Sequence, residues 1–94
     1  MSGTYSARET LTVTSSTAVG FTADTYGTAR GAFVVVEGGA VRYWLDDVSS
    51  DPTPTVGLLA PVGSRIYLTS KDQLVKFEAI AVGVDATLSA VFGY

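Results

Sequence analysis

Two β-prone runs meet at a bare Gly38-Gly39 pair: Phe33-Val34-Val35-Val36-Glu37 before it and Val41-Arg42-Tyr43-Trp44-Leu45 after it. A two-residue turn needs positive φ values, which glycine adopts at little steric cost, so this pattern predicts a β-hairpin. Glu37 then faces Ala40, and the pairs that follow are Val36 with Val41, Val35 with Arg42, Val34 with Tyr43 and Phe33 with Trp44. One face carries Ala32, Val34, Val36, Val41, Tyr43 and Leu45 and reads as core. The other carries Phe33, Val35, Glu37, Arg42 and Trp44. Two large aromatics beside two charges suit an interface better than a water-facing surface. The competing expectation is a hairpin between layers, buried on both faces.

The remaining segments share this strand-like character. Val, Thr, Gly and aromatic residues dominate, and they favour pleated structure over helix. Alternation marks Thr10 to Thr14, Ala18 to Thr22, Val56 to Ala60, Ser64 to Leu68, Val75 to Val82 and Thr87 to Tyr94 as further strands. In the fifth of these, Val75, Phe77, Ala79 and Ala81 share one face. Ala23 to Gly31 reads as a connection, and Thr69 to Gln73 as a polar turn with room for one helical turn. About eight short antiparallel strands at this spacing predict an all-β fold, a two-sheet sandwich or jelly roll, with a small barrel as the alternative. Residues 1–9 are expected to form an N-terminal arm and residues 10–94 a single domain.

Composition narrows what such a domain can do. Apolar residues make up 47% of the 94-residue chain and charged residues 16%, against roughly 25% charged in an average soluble domain. A small domain with few charges has surface to cover, which points to self-assembly or to docking on a partner. No apolar run approaches the roughly 18–20 residues that span a bilayer, and Met1 to Thr10 lacks the basic and apolar regions of a secretory signal. A net charge of −3, with six scattered basic residues, argues against nucleic acid as a partner.

The inventory of reactive groups is short. Without cysteine or histidine there is no thiolate nucleophile, no zinc-thiolate site and no imidazole base. Asp46, Asp47 and Asp51, with Ser49 and Ser50, could offer oxygens to calcium, but the spacing is not that of an EF-hand, and acidic residues in a turn serve more often as turn formers. Any two of Glu37, Asp46, Asp47, Asp51 and Glu78 could act as a glycosidase pair, yet nothing singles one out. Tyr43, Trp44 and Tyr67 could stack on sugar rings, as in a carbohydrate-binding module. No cofactor and no enzymatic activity are expected.

The stretch Val41-Arg42-Tyr43-Trp44-Leu45-Asp46-Asp47, followed by Asp51-Pro52-Thr53-Pro54-Thr55-Val56-Gly57, resembles a family of small virion-associated proteins of tailed bacteriophages and prophages. The Val75-Lys76-Phe77-Glu78-Ala79-Ile80 strand, the Tyr-terminated last strand and the N-terminal Leu11-Thr12-Val13-Thr14 start are similar to that family as well. The chain departs from the family pattern at Val48-Ser49-Ser50, where a glycine often follows the aspartates. The resemblance implies a capsid decoration (cement) protein that bridges shell subunits, with a tail, neck or fibre component as the alternative. Its partner would be the major capsid protein or another virion protein, its state homo-oligomeric or lattice-bound, and its location the virion. The expected contact surface is Phe33, Val35, Arg42 and Trp44 together with the loop residues Asp46, Asp47, Asp51, Pro52, Thr53, Pro54 and Thr55.

Overall fold

The last strand of the chain organises the rest. Ala86, Leu88, Ala90 and Phe92 are all buried, while Thr87, Ser89 and Val91 lie half-buried on the opposite side, the period-2 pattern of a strand with one face on a core. The computed structural model describes residues 5–45 and 51–93. Within them the elements run β1 (Tyr5–Val13), α1 (Ala23–Tyr26), β2 (Gly31–Glu37), β3 (Val41–Trp44), β4 (Leu58–Ala60), β5 (Arg65–Leu68), α2 (Lys71–Lys76), β6 (Glu78–Ala81) and β7 (Ala86–Gly93). They form two antiparallel sheets, one in the order β1-β7-β2-β5 and one in the order β4-β3-β6.

The core lies between the sheets. Val13, Val34, Val36, Ile66, Leu68 and Leu88 of the first sheet and Val41, Ala60, Ala79 and Ala81 of the second are buried in it. An aromatic cluster adds bulk where the small alanines of β6 leave space. Phe21 stacks on Phe77 at 5.1 Å and meets Phe92 edge-on at 5.5 Å, while Tyr43 tilts over Phe77 at 5.7 Å. Offset and edge-to-face contacts of this kind add to plain area burial. An all-β sandwich is therefore the fold, rather than a closed barrel.

The expected hairpin at Gly38-Gly39 does not form. β2 pairs with β7 on one edge and β5 on the other, and β3 pairs with β4 and β6. The chain instead arches from one sheet to the other. Gly38 has φ +80°, and a Cβ at Gly39 would sit 2.8 Å from both Cγ2 and the carbonyl oxygen of Val84. The glycines thus serve a tight crossing packed against the β6–β7 connection. Both arrangements bury the same residues, because an arch turns Val34, Val36 and Val41 toward one shared core as a hairpin would.

Three other expectations change. Tyr5 to Glu9 belong to β1, paired with β7 as far as Tyr5 opposite Gly93, so they are not a separate arm. Ala18 to Thr22 makes only an isolated bridge, with Val19 and Ala79 exchanging backbone hydrogen bonds of 2.9 and 2.8 Å. Beyond it the Glu9 carboxylate accepts hydrogen bonds from the Thr22 amide (3.0 Å) and hydroxyl (2.8 Å), turning the chain into α1. The strand expected from Val75 starts at Glu78, since α2 runs through Lys76 and leaves Val75 exposed. There the Ser70 hydroxyl caps the Gln73 amide at 3.2 Å and Gln73 Oε1 accepts from the Thr69 amide at 2.8 Å. That reciprocal cap outweighs the β preference of Val75. Seven strands result among the described residues.

Gly39→Ala must displace Val84 and is expected to lower stability by about 1–3 kcal/mol. Gly83→Ala, where a Cβ would meet nothing within 4 Å, is expected to be close to neutral. Denaturant melts of the two variants test the arch. Equal losses would contradict it.

Candidate functional site

With Ala32, Val34 and Val36 turned into the core, Phe33, Val35 and Glu37 project from the outer face of the first sheet. Register sets Phe33 between Val91 and Tyr67, and Val35 between Ser89 and Arg65. Arg8 and Thr10 of β1 extend these two rows beside Val91 and Ser89. Phe33 stacks on Tyr67 at 5.2 Å, yet Tyr67 stays 62% exposed. Glu37 is already engaged, accepting a 2.8 Å hydrogen bond from the Ser89 hydroxyl. An open depression of about 580 Å³ lies along β1, β7 and β2, lined in part by Arg8, Phe33, Val35, Ser89 and Val91. The guanidinium groups of Arg8 and Arg65 are exposed and have no ion-pair or hydrogen-bond partner among the described residues.

The outer face of the second sheet is built differently. Arg42 folds its own guanidinium back onto the β3–β4 connection, donating from Nε to the Pro54 carbonyl (3.1 Å) and from Nη1 to the Gly57 carbonyl (2.9 Å). Within that connection Thr53 and Val56 exchange backbone hydrogen bonds of 2.9 and 3.1 Å, and the Thr53 hydroxyl accepts from the Thr55 amide at 3.3 Å. Pro52 is buried. Ile80, opposite Arg42 in the sheet, is only 5% exposed although it stands outside the interlayer core. The segment held by Arg42 is the covering layer on this side. Trp44 pairs with Glu78 in the sheet and is half-buried.

Of the expected contact residues, the structure brings together Phe33 with Val35, and separately Arg42 with Pro54 and Trp44 with the β6 edge at Glu78. It does not bring the two groups together. β2 and β3 lie in different sheets, so Phe33 and Val35 face out on one side of the sandwich while Arg42 and Trp44 face out on the other. The single two-faced hairpin surface is corrected to two opposite surfaces. Arg42 is committed to main-chain carbonyls, and Pro52 is buried. Thr53 and Thr55 are exposed, whereas Pro54 is half-buried. Asp46 and Asp47 lie outside the described residues. Tyr43, considered for sugar stacking, packs on Phe77 in the core instead. Arg8, Arg65 and Val91 were not expected at the site. Their link to Phe33 is a cross-strand register between distant segments, which no local pattern carries.

Two carboxylates from the set considered for acid–base work do meet. Asp51 lies beside Glu78, and burial, followed by the neighbouring Asp51 carboxyl, raises the Glu78 carboxyl above its ordinary value. Among the described residues no group of three potential metal ligands gathers. The chemistry on offer at these faces is stacking, apolar contact and charge. Compared with protein-family models, curated proteins and solved structures, the chain matches none of them.

The native state keeps the Glu78 proton to higher pH than the unfolded chain does. Its contribution to stability therefore falls as pH rises from the ordinary carboxylate range through the raised value. Glu78→Gln is expected to flatten that part of the stability profile, measured by urea melts between about pH 3 and 7. Superimposable slopes for the two proteins would contradict the coupling.

Proposed function

We propose that this chain is a non-enzymatic structural protein that works by docking, with the outer face of the β1-β7-β2-β5 sheet as its contact surface. The observation that carries the reading is the uncovered Phe33–Tyr67 stack, set among Val35 and Val91 and flanked by free Arg8 and Arg65. The second sheet has its own chain drawn across it by Arg42, whereas nothing among the described residues covers the first. Aromatic and arginine residues around an apolar centre are the composition of binding hot spots.

The setting we propose is a bacteriophage virion, with head decoration the first choice and a neck, tail or fibre role the second. It rests on the resemblance of the Val41 to Gly57 segment and of the strands around Phe77 and Leu88 to small virion-associated proteins. Repeated docking on a shell lattice would let modest single contacts sum to a stable coat. A carbohydrate-binding module is the second reading, favoured by Tyr67 lying open and stacked beside the depression that Phe33 lines.

The reading is tested on particles purified from the source phage or prophage. Quantitative mass spectrometry is expected to find on the order of hundreds of copies per particle, as lattice docking requires, and the Phe33→Ser/Tyr67→Ser protein is expected to be lost from particles. That double substitution removes an outer-face pair, so the fold should lose only about 1 kcal/mol. A handful of copies would move the chain to the neck, tail or fibres. Absence from particles, with Trp44 fluorescence responding to a glycan, would replace docking by sugar binding.

A further inference from the structure

The two outer faces are complementary to each other. One presents Arg8 and Arg65 without partners around Phe33 and the exposed Tyr67. Glu37, the acid on that face, is held by Ser89. The opposite face presents Asp51 beside Glu78, with half-buried Trp44 opposite Glu78 in the sheet and exposed Leu59 on the far edge strand. Arg42, which lies on that side, is spent on the Pro54 and Gly57 carbonyls and neutralises neither acid. Among the described residues each face therefore carries charge that is not compensated, and the signs are opposite.

We propose that copies of this chain associate head to tail, the Arg8–Arg65 face of one copy seating on the Asp51–Glu78 face of the next. The occupant is a second copy because this one contact satisfies both faces at once. A two-fold pairing of like faces would set four arginines, or four carboxylates, against one another, and like-charge juxtaposition disfavours such modes. The crowding of Asp51 and Glu78 adds a reason, since an arginine from a neighbour relieves the repulsion between them. Contacts of this kind use different patches on the two partners, so they propagate into rings or open stacks rather than stopping at a dimer. The proposal rests on the reading of the Phe33–Tyr67 face as a docking surface, and it is independent of the virion setting.

Charge reversal tests it. Sedimentation velocity of the wild-type chain at low salt is expected to show mass growing with concentration, and weakening as salt rises. Arg8→Glu/Arg65→Glu alone and Asp51→Lys/Glu78→Gln alone are each expected to weaken association by about tenfold or more. An equimolar mixture of the two is expected to associate again, because each acidic face then meets a basic one. Should the second variant unfold, Asp51→Lys alone, at an exposed position, carries the same test. A wild-type chain that stays monomeric at every concentration overturns the proposal. Association lost with Phe33→Ser/Tyr67→Ser but unmoved by the Asp51 variants keeps the docking face and overturns the head-to-tail mode. A mixture that fails to associate overturns it as well.

Discussion

Both edges of β2 are hydrogen-bonded, one to β7 and the other to β5, and this leaves the chain after Glu37 no place in its own sheet. It must cross to the other layer, and the crossing at Gly38-Gly39 decides where every later residue can point. The crossing is stitched to its neighbours. The Gly63 amide donates to the Val36 carbonyl at 2.8 Å, the Val36 amide to the Ser64 carbonyl at 3.0 Å, and the Val82 amide to the Ala40 carbonyl at 3.0 Å. Three connections between layers, after β2, after β4 and after β6, thus meet at one end of the sandwich. Close packing there is what leaves no room for a side chain at Gly39.

That constraint separates the chemistry of the two outer faces. Had β3 paired with β2, Trp44 would stand beside Phe33 and Arg42 beside Val35, and one surface would carry everything. Instead the β3 face is occupied by its own β3–β4 connection, because Arg42 finds two main-chain carbonyls within reach. An arginine fork satisfied by carbonyls organises a loop, but it leaves nearby acids unneutralised. The β2 face receives its basic residues from β1 and β5, which border it at opposite edges. A polar molecule with unlike faces follows directly from the strand order.

The parts legible in the residues were those fixed by period. Alternation identified β2, β3, β5 and β7 and nearly all of the inward positions, from Val34 and Val36 to Leu88 and Phe92, because burial on one face is a local pattern. It could not separate a hairpin from an arch at Gly38-Gly39, since both turn the same side chains inward. Alternation placed Val75 in a strand because the cap that starts α2, Ser70 with Gln73, lies outside the strand window. Among site residues Phe33, Val35 and Trp44 were legible as outward aromatics and apolars. The pairing of Phe33 with Tyr67, and the arrival of Arg8 and Arg65 around them, depend on register between segments tens of residues apart.

The separation of Phe33 from Trp44 is the claim on which the docking face and the head-to-tail assembly both depend. Cross-strand nuclear Overhauser contacts along β2 in the isotope-labelled chain measure it directly. The structure predicts contacts from Val35 to Ser89 on one edge and to Arg65 on the other, and from Phe33 to Val91 and Tyr67. Contacts of Val35 with Arg42 and of Phe33 with Trp44 would mean that β2 and β3 pair side by side. In that case the two faces merge into one and the account fails.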